Sequence, residues 1–444
     1  MGYRINLLSL GCEKNRVDSE VMLSILSKEG HKIVDDPNEA DVGIINTCGF
    51  IKDAKEESIE EILYFIRLKR ENKLKKIIIS GCLSERYKGE ILKEFPEVDA
   101  AIGIGAVGDI AKVVKEAMEG RTIEIFKDKC LLPLNADRMR TTPSHYAYLK
   151  ISDGCSNCCT YCAIPQIRGS FRSRKIEDII KEAESMANSG VKEIVIIAQD
   201  TTRYGEDIYG ELKLPELLKK LCEIDKIKWI RLLYCYPDRL TDNLIDVIAK
   251  EDKIVKYIDL PLQHCNEKIL KSMNRSGNVQ SLKALLKKIR DKIPNVTLRT
   301  TFIVGFPGET DKEFTELCEF SKEIGFERMG CFKYSAEEGT KAAKFNNQVP
   351  EDIKNKRLDL IMTEQDLIME QKARNMKGKE IEVLIDRFDP DTGYYYGRSQ
   401  AEAPDDVDGY LYVVPSNYIE VKQGDIVRVL VKDYVGYQTI CELI

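Results

Sequence analysis

The sequence predicts an α/β protein with three parts: an N-terminal open α/β domain, a partial (β/α)6 barrel and a small antiparallel C-terminal β-barrel. Its length of 444 residues corresponds to about three domains. Strand-like and helix-like patterns alternate along two stretches, and short strand-like runs separated by turn residues follow Gly378. We therefore expect domains at 1–120, 143–376 and 377–444, with a linker at 121–142.

The first domain is predicted to be a parallel sheet, because its apolar runs are short and alternate with helical stretches. Its predicted strands are Ile5–Leu10, Val42–Asn46 and Lys76–Ser80. Its predicted helices are Val17–Lys28, Ala54–Arg70 and Lys88–Phe95.

The second domain repeats a strand–helix unit six times, which favours a partial barrel with its chemistry at the carboxyl ends of the strands. The predicted strands are Tyr146–Ser152, Glu193–Ala198, Trp229–Tyr234, Tyr257–Leu260, Leu298–Val304 and Arg328–Tyr334. A long charged helix is predicted at Glu351–Met376. The third domain is predicted from five strand-like runs: Ile381–Ile385, Tyr394–Arg398, Tyr410–Val414, Ile426–Val431 and Thr439–Leu443.

Composition and charge exclude several classes of protein. No apolar run approaches the ~20 residues of a membrane span, and the first residues do not resemble a signal peptide, so we expect a cytoplasmic protein without membrane contact. A net charge of −6 argues against a general polyanion binder. In a reducing cytosol the 14 cysteines are metal ligands, reactive thiols or buried small side chains.

The densest cysteine run is G-C-S-N-C-C-T-Y-C at 154–162, directly after the first predicted barrel strand. Cys155, Cys159 and Cys162 form C-x3-C-x2-C, and three thiolates can hold three irons of a 4Fe–4S cluster while the fourth iron stays open. The alternative is a zinc knot that also uses Cys158. Two C-x2-C pairs fused without a spacer make a poor tetrahedral cage, so the cluster is favoured.

Three further cysteines occupy equivalent positions in the first domain. Each follows a predicted strand and lies beside a glycine: Cys12 with Gly11, Cys48 with Gly49 and Cys82 with Gly81. Ligands of open α/β sheets bind at the carboxyl edge, and glycine permits close backbone approach. These cysteines therefore predict a second cluster, with three buried thiols as the alternative. Apart from Cys158, the other seven cysteines show no ligand spacing: Cys130, Cys222, Cys235, Cys265, Cys318, Cys331 and Cys441.

The cysteine loop, the aromatic Tyr161 before its last cysteine and the six-unit barrel resemble the radical S-adenosylmethionine (SAM) superfamily. The resemblance implies that SAM chelates the open iron. One electron from the cluster then cleaves SAM to methionine and a 5′-deoxyadenosyl radical, which abstracts a hydrogen atom. The cofactor supplies this chemistry and the protein positions it.

Within that superfamily, three segments closely resemble the methylthiotransferase family: S-L-G-C-E-K-N-R-V-D-S-E at 9–20, N-T-C-G-F-I at 46–51 and S-G-C-L at 80–83. The layout with a C-terminal TRAM-type barrel is also similar. The resemblance implies two 4Fe–4S clusters, with sulfur delivery at the N-terminal one. One SAM donates a methyl group, a second supplies the radical, and a C–H bond becomes C–S–CH3. An electron donor such as flavodoxin or ferredoxin is implied as a partner.

Family members modify either a transfer-RNA adenosine or an aspartate of a ribosomal protein. Residues 378–444 contain 6 Lys/Arg and 13 Asp/Glu, a net of −7, whereas an RNA-gripping barrel should be basic. An acidic barrel favours a basic protein partner and leaves RNA contact disfavoured, although acidity alone can serve solubility.

Four motifs, at 163–174, 198–205, 260–264 and 397–409, resemble the members that modify small-subunit ribosomal protein twelve at the aspartate β-carbon. The same-fold alternative is methylthiolation of N6-isopentenyl- or threonylcarbamoyl-adenosine in transfer RNA. The different-class alternative is a non-catalytic metal-binding module on the ribosome.

The resemblance also suggests cofactor contacts at strand ends. Gln199 and Asp200 end the second barrel strand, where the superfamily contacts the SAM amino group, although the usual Gly-Gly-Glu is absent. Gly305 and Glu309 follow the fifth strand, where the superfamily flanks adenine, or they form only a tight loop. Tyr161 is assigned to cofactor binding as part of the cluster loop.

The remaining candidates are charged or polar residues near those strand ends. Gln263 and His264 could line the SAM ribose or the substrate, or form a polar pair at the core edge. Arg299 interrupts an apolar strand and needs an anionic partner such as a SAM or substrate carboxylate. A basic stretch after the cluster loop could bind a substrate carboxylate or be a solvated face; it consists of Arg168, Arg172 and Arg174.

Overall fold

The chain folds into two compact units in this computed structural model, which describes residues 2–405, 407–416, 418–435 and 438–444. The first unit comprises the residues up to Thr141 together with Ser152–Arg174 and Ser335–Ala343. The second comprises Thr142–Ile151, Lys175–Tyr334 and Lys344–Ile444. The segment with the dense cysteine run thus belongs to the same unit as the N-terminal cysteines.

The first unit contains a six-stranded parallel sheet of order β2-β1-β3-β4-β5-β6. Its strands are β1 Arg4–Ser9, β2 Lys32–Ile33, β3 Val42–Thr47, β4 Lys76–Gly81, β5 Ala100–Ile102 and β6 Ile123–Ile125. Its helices are α1 Glu13–Lys28, α2 Lys52–Arg70, α3 Cys82–Arg86, α4 Ile91–Glu94 and α5 Ile110–Met118. Strand β6 lies inside the segment that the sequence predicted as a linker.

Both faces of this sheet are covered, which explains its continuous apolar strands. Ile44 and Ile78 pack into one core cluster with helices α1 and α5, while Ile45 and Ile79 pack into another with α2. Parallel strands buried on both faces read as apolar runs without alternation. The helix predicted at Lys88–Phe95 is shorter than expected: α4 covers only Ile91–Glu94, because Gly89 has a φ of +73°, which is not helical.

A small antiparallel pair closes the loop that carries the cysteine run. Strands β8 (Ser152–Asp153) and β9 (Arg172–Ser173) pair with each other, and helix α6 (Ile164–Arg168) lies between them in the chain. The loop is therefore fixed at both ends.

The second unit contains six parallel strands in sequence order, as the strand–helix repeat predicted. They are β7 Tyr146–Lys150, β10 Glu193–Ile197, β11 Trp229–Leu232, β12 Ile254–Asp259, β13 Thr297–Val304 and β14 Arg328–Lys333. The helices are α7 Ile176–Asn188, α8 Glu206–Tyr209, α9 Leu214–Cys222, α10 Asp242–Lys250, α11 Glu267–Ser272, α12 Val279–Lys292, α13 Asp311–Ile324 and α14 Glu351–Arg374.

The last strands of the second unit form a closed barrel of order β15-β16-β17-β19-β18. They are β15 Glu380–Asp389, β16 Tyr394–Arg398, β17 Leu411–Val414, β18 Ile426–Val435 and β19 Gln438–Leu443. The predicted small β-barrel is confirmed, with one difference: β17 and β19 pair in parallel.

The connector between β16 and β17 is bonded to the six-stranded sheet of the same unit. Together with Arg398 at the end of β16, it contacts one polar side chain from each of the six strands. These side chains are Tyr146, Glu193, Arg231, Tyr257, Arg299 and Arg328, and their partners include Arg398, Gln400, Glu402, Asp405 and Asp408.

Contacts of the connector and of β15 change the meaning of the acidic count in residues 378–444. Asp386, Glu402, Asp405 and Asp408 all accept hydrogen bonds from side chains of the second unit. These four carboxylates compensate internal donors, so the net of −7 overstates the charge available to a partner. No helix among the described residues has the length and apolar character needed to cross a bilayer.

Candidate functional site

Three cysteines of the first unit follow neighbouring strands at one sheet edge. Cys12, Cys48 and Cys82 come directly after, or one loop after, β1, β3 and β4, which are adjacent and parallel. Cys12 is the N-cap residue of α1, and Cys82 is the first residue of α3. The topology therefore directs all three to the carboxyl edge.

The glycines beside these cysteines allow the three loops to touch. A Cβ on Gly11, whose φ is +80°, would lie 2.8 Å from the Sγ of Cys48. A Cβ on Gly49 would lie 2.9 Å from the carbonyl carbon of Cys82. A Cβ on Gly81, whose φ is +92°, would lie 2.5 Å from the carbonyl oxygen that ends β3. No other residue type fits at these distances, so the close approach depends on glycine.

Buried amide groups hold the cysteine loops in place. The Asn15 side chain donates to the carbonyl oxygens of Leu10 (2.8 Å) and Asn46 (3.1 Å), which precede Cys12 and Cys48. The Asn46 amide donates back to the Asn15 carbonyl at 2.9 Å. Both asparagines lie in the quoted motifs, but sequence reasoning gave them no role, since only their burial reveals the bonds.

The donor set at this edge fits an iron–sulfur cluster. Burial raises the pKa of Cys82 to about 12 although Arg168 opposes the shift, and burial also raises the pKa of Cys48. Metal ligation needs thiolates, so loading must release protons here. Among the described residues, the buried hydroxyls of Ser80 and Ser84, two residues before and after Cys82 in the chain, have no hydrogen-bond partner, so a sulfur-rich group bound at Cys82 would supply acceptors for them.

The C-x3-C-x2-C loop is tied down by its own backbone. The Cys155 N–H donates to the Gly169 carbonyl at 3.0 Å, and the Cys162 N–H donates to the Cys159 carbonyl at 3.1 Å. The Cys162 Sγ accepts from the Ile164 N–H at 3.5 Å. Cys158, the extra thiol, is exposed and has a φ of +53°. Across the described residues, no three His, Cys, Asp or Glu side chains are grouped so as to hold a single metal ion.

Arg168 connects this loop to the N-terminal cysteines within the first unit. Its guanidinium is buried and pairs with Asp18 and Asp153, each at 2.8 Å. It lies 3.3 Å from the Asn15 Oδ1 and 3.9 Å from the Cys82 Sγ. The carboxylate partners that the sequence argument sought in a substrate are therefore present in the chain.

The other two arginines of the basic stretch have different partners. Arg172 donates to the carbonyl oxygens of Lys129 (2.8 Å) and Cys130 (2.7 Å). The Arg174 Nε donates to the Asn135 Oδ1 at 2.7 Å. The three arginines therefore do not converge on one shared partner.

The segment 335–343 forms a second connection between the two cysteine regions. Glu337 is buried and pairs with Lys55 (2.8 Å) and Arg86 (2.7 Å). Arg86 also donates to the carbonyl oxygen of Gly49, next to Cys48, at 2.9 Å. At its other end, the Ala342 N–H donates to the Thr160 carbonyl in the C-x3-C-x2-C loop at 2.9 Å.

In the second unit, Gln199 and Asp200 follow β10 as the sequence indicated. Among the described residues, the buried Gln199 Oε1 has no hydrogen-bond partner, so this acceptor fits the amino group that SAM would present. Asp200 is instead engaged: it accepts from the Thr202 hydroxyl at 2.7 Å and pairs with Arg239 at 3.2 Å.

The loop after β13 is held by internal charge pairs. The Glu309 carboxylate accepts from the Gly305 N–H at 3.0 Å and pairs with Arg357 at 2.8 Å. The His264 Nε2 lies 3.5 Å from this carboxylate, while its Nδ1 accepts from the Asn266 N–H. Glu309 was expected to flank adenine or form a tight loop, and His264 to line the SAM ribose or substrate or form a polar pair at the core edge; in the structure both hold the loop after β13.

Arg299 lies on β13, and two residues with a positive φ follow the neighbouring strands β12 and β11. Arg299 pairs with Asp259 at 2.9 Å and lies 3.4 Å from Asp408, so its charge is compensated inside the unit. Gln263 and Tyr234 have φ values of +71° and +60° in the segments that follow β12 and β11. Strained non-glycine backbone concentrates at functional sites. Tyr234 was missed, because no sequence pattern marks a positive φ at tyrosine.

Three family profiles match successive parts of the chain. The profile of the Uncharacterized protein family UPF0004 matches residues 4–103. The Radical SAM superfamily matches residues 149–321, which include the C-x3-C-x2-C loop. The TRAM domain matches residues 378–444, where the closed barrel lies.

Solved structures with low sequence identity share the fold. The radical S-adenosylmethionine methyltransferase TsrM from Kitasatospora setae, solved with tryptophan substrate and a SAM analogue, matches with a TM-score of 0.56 at 12% identity, covering 74% of this chain and 72% of that one. This likeness concerns the fold alone.

Curated relatives are similar over nearly the whole length. The ribosomal protein uS12 methylthiotransferase RimO of Thermoanaerobacter sp. (strain X514) is 49% identical, covering 99% of each chain. RimO of Clostridioides difficile (strain 630) is 47% identical, covering 98% of this chain and 97% of that one. With this identity over nearly every residue, the chain belongs to the RimO family of radical SAM methylthiotransferases.

Proposed function

We propose that this chain is a radical SAM methylthiotransferase that modifies an aspartate of ribosomal protein uS12. The β C–H bond of the aspartate is converted to C–S–CH3: the sulfur is delivered at the N-terminal cluster, one SAM donates the methyl group, and a second SAM, cleaved by one electron, gives the radical that takes up the hydrogen atom. The relatives named for this activity support the assignment, because they are 43–49% identical over nearly the full chain. The transfer-RNA alternative is not favoured by these relatives.

The single observation that carries the proposal is the pairing of two cysteine regions in one compact unit. Cys12, Cys48 and Cys82 converge through three glycine contacts, and the C-x3-C-x2-C loop is joined to them by Arg168. A sulfur-insertion enzyme needs a sulfur-bearing site beside a hydrogen-abstracting one, since the C–S bond forms where the hydrogen was removed.

Two 4Fe–4S clusters and SAM are the cofactors, and when bound they supply the methyl group and the radical that removes hydrogen. The chain supplies their ligands: Cys12, Cys48 and Cys82 for one cluster, and Cys155, Cys159 and Cys162 for the other. Three protein thiolates per cluster leave one iron open at each site. Gln199 accepts a hydrogen bond from the SAM amino group, and Tyr161 belongs to the loop around the second cluster.

The partners follow from the chemistry. The clusters must receive electrons, so a low-potential carrier such as flavodoxin or ferredoxin docks to the enzyme. The substrate is a ribosomal protein, which assigns the enzyme to the cytoplasm. Exposed acidic side chains of the C-terminal barrel, such as Glu382 and Asp391, favour a basic protein over RNA.

The proposal is tested by anaerobic reconstitution, iron and sulfide analysis, and intact-mass measurement of uS12 after incubation with SAM and a reductant. We expect about eight irons per chain and a uS12 product heavier by one methylthio group in place of hydrogen. Fragmentation should locate the added mass on an aspartate.

Two outcomes would replace this function with an alternative. Bound zinc without sulfide would indicate a non-catalytic metal module. Unmodified uS12 with methylthiolated adenosine in transfer RNA would indicate the transfer-RNA enzyme. A Cys130→Ser variant is the matched control, because Cys130 is exposed and lies outside both ligand sets.

A further inference from the structure

We propose that Arg168 is a positioning residue that couples the two cysteine regions and tunes the reduction potential of the N-terminal cluster. This inference rests on the proposed function, since it requires that cluster to be present. It gives Arg168 a role distinct from substrate binding.

The position of Arg168 is fixed by the C-x3-C-x2-C loop. It is the last residue of α6, which begins two residues after Cys162. The next residue, Gly169, has a φ of +78° and accepts a hydrogen bond from the Cys155 N–H at 3.0 Å. The side chain is therefore anchored at both ends of the loop, and a movement of the loop must move the guanidinium.

The contacts of the guanidinium reach the other cysteine region. Asp18 lies on α1, which Cys12 caps, and pairs with Arg168 at 2.8 Å. Asn15, whose amide binds the carbonyls before Cys12 and Cys48, accepts from Arg168 at 3.3 Å. The Cys82 Sγ is 3.9 Å away. Arg168 thus contacts Cys82 directly, and it contacts the residues that hold the loops of Cys12 and Cys48 in place.

The positive charge of Arg168 beside Cys82 affects the reduction potential of the cluster. A hydrogen-bond donor to a cluster ligand sulfur stabilises the reduced cluster, because reduction adds negative charge, and this raises the reduction potential. Arg168 is also 1% exposed, so solvent screens its charge poorly. Asp18 and Asp153 offset part of that charge, so the balance among the three groups sets the field at Cys82.

Planar geometry explains why arginine is needed. The guanidinium reaches Asp18 and Asp153 through one nitrogen and Asn15 and Cys82 through the other. A lysine ammonium keeps the charge but cannot span these four partners from one point. Arg168→Lys should therefore keep part of the electrostatic effect and lose the link between the regions.

The test is an EPR-monitored redox titration of the full chain carrying Cys155→Ala, in which only the N-terminal cluster remains. We expect Arg168→Gln to raise the oxidised-to-reduced ratio at a fixed applied potential about tenfold, equivalent to about 59 mV for a one-electron couple. Arg168→Lys should give a smaller change of the same sign. Asp18→Asn should shift the ratio in the opposite direction, because it removes an anion that offsets Arg168.

Arg172→Gln is the matched control, since it removes the same charge from the same stretch at a guanidinium bonded to backbone carbonyls. Its potential should match that of the parent. If Arg168→Gln fails to assemble the cluster, the sign of the Asp18→Asn shift decides the question. Unchanged potentials in cluster-loaded Arg168 or Asp18 variants would overturn this inference, whereas a parent chain without iron would overturn the proposed function itself.

Discussion

The two parallel sheets are built from the same strand–helix repeat but hold their functional residues in different ways. At the edge of the first sheet, Gly49 and Gly81 approach the backbone of neighbouring loops and Gly11 approaches the Cys48 side chain, so glycine leaves room for the cysteine loops. In the second sheet, charged side chains pair with one another, as Glu309 does with Arg357. Substitutions in the first sheet should therefore alter metal content, while substitutions in the second should alter stability.

The largest effect is expected from Cys82→Ala, which removes one of the three N-terminal thiol ligands. The variant should lose about half of the parent's iron and all methylthiolation of uS12, because only the second cluster can assemble. Iron, sulfide and product mass measure this. Full iron in Cys82→Ala would show that the N-terminal cysteines are merely buried thiols.

The next largest effect is expected at Gly11, where a substitution tests whether steric contact or backbone strain explains the need for glycine. Gly11→Ala places a Cβ 2.7 Å from the Cys48 Cβ at a φ of +80°, so we expect most of the N-terminal iron to be lost. Gly30→Ala is the control, because its φ is +82° and its Cβ would meet nothing within 4 Å. It should cost about 1–2 kcal/mol from strain alone and keep full iron. Equal iron contents in the two variants would contradict the close-contact argument.

A third effect belongs to the second unit. Glu193 is fully buried and pairs with Arg231 and Arg398, each at 2.7 Å. Glu193→Gln leaves both arginines short of a carboxylate and should lower the free energy of unfolding by about 3 kcal/mol in urea denaturation. Glu380→Gln, in an exposed pair with Arg428, should change little. If Glu193→Gln lost iron while its stability stayed unchanged, the contrast drawn between the two sheets would be wrong.

The same network predicts a pH dependence. Burial opposes ionisation of Glu193, but Arg398 and Arg231 outweigh it and hold its pKa below the ordinary 4.5. Burial likewise opposes ionisation of Asp386, and His145 and Arg398 hold its pKa below 3.8. The folded state thus binds fewer protons, so this stability is complete above about pH 4.5 and is lost as the pH falls through the folded pKa values. Between pH 3 and 6, the urea concentration at the unfolding midpoint should change less with pH in Glu193→Gln than in the parent.

The smallest effect concerns Arg299. Because its partners are Asp259 and Asp408, Arg299→Gln should lower the free energy of unfolding by about 1–2 kcal/mol and leave the affinity for SAM unchanged. Equilibrium dialysis with labelled SAM measures the affinity. Weakened SAM binding at parental stability would restore the cofactor role that the sequence suggested.

Local pattern predicted much of this molecule. The predicted strand Tyr394–Arg398 matches β16, and Glu193–Ala198 exceeds β10 by one residue. Strands β2 and β5 have two and three residues, which is too short for periodicity to register. The cysteine–glycine pairs were readable because each pair is adjacent in sequence.

Contacts between distant parts of the chain could not be predicted. Arg168 and Cys82 are 86 residues apart, and a basic stretch reads the same whether it is buried or solvated. The acidic count of the C-terminal barrel overstated the charge available to a partner for a similar reason. Counting charges cannot show that Asp386 and Glu402 are already hydrogen-bonded to His145 and Arg328.

The connector between β16 and β17 has a consequence for synthesis of the chain. Glu193 emerges from the ribosome 205 residues before Arg398, and Tyr257 emerges 151 residues before Asp408. Until the last segment is made, Glu193 has Arg231 but lacks Arg398. The Tyr257 hydroxyl likewise lacks the Asp408 carboxylate, so the nascent sheet misses hydrogen bonds that stabilise the finished fold. The six strands can collapse early but reach their final stability only when translation ends, so a prematurely terminated chain should be a ready substrate for proteases.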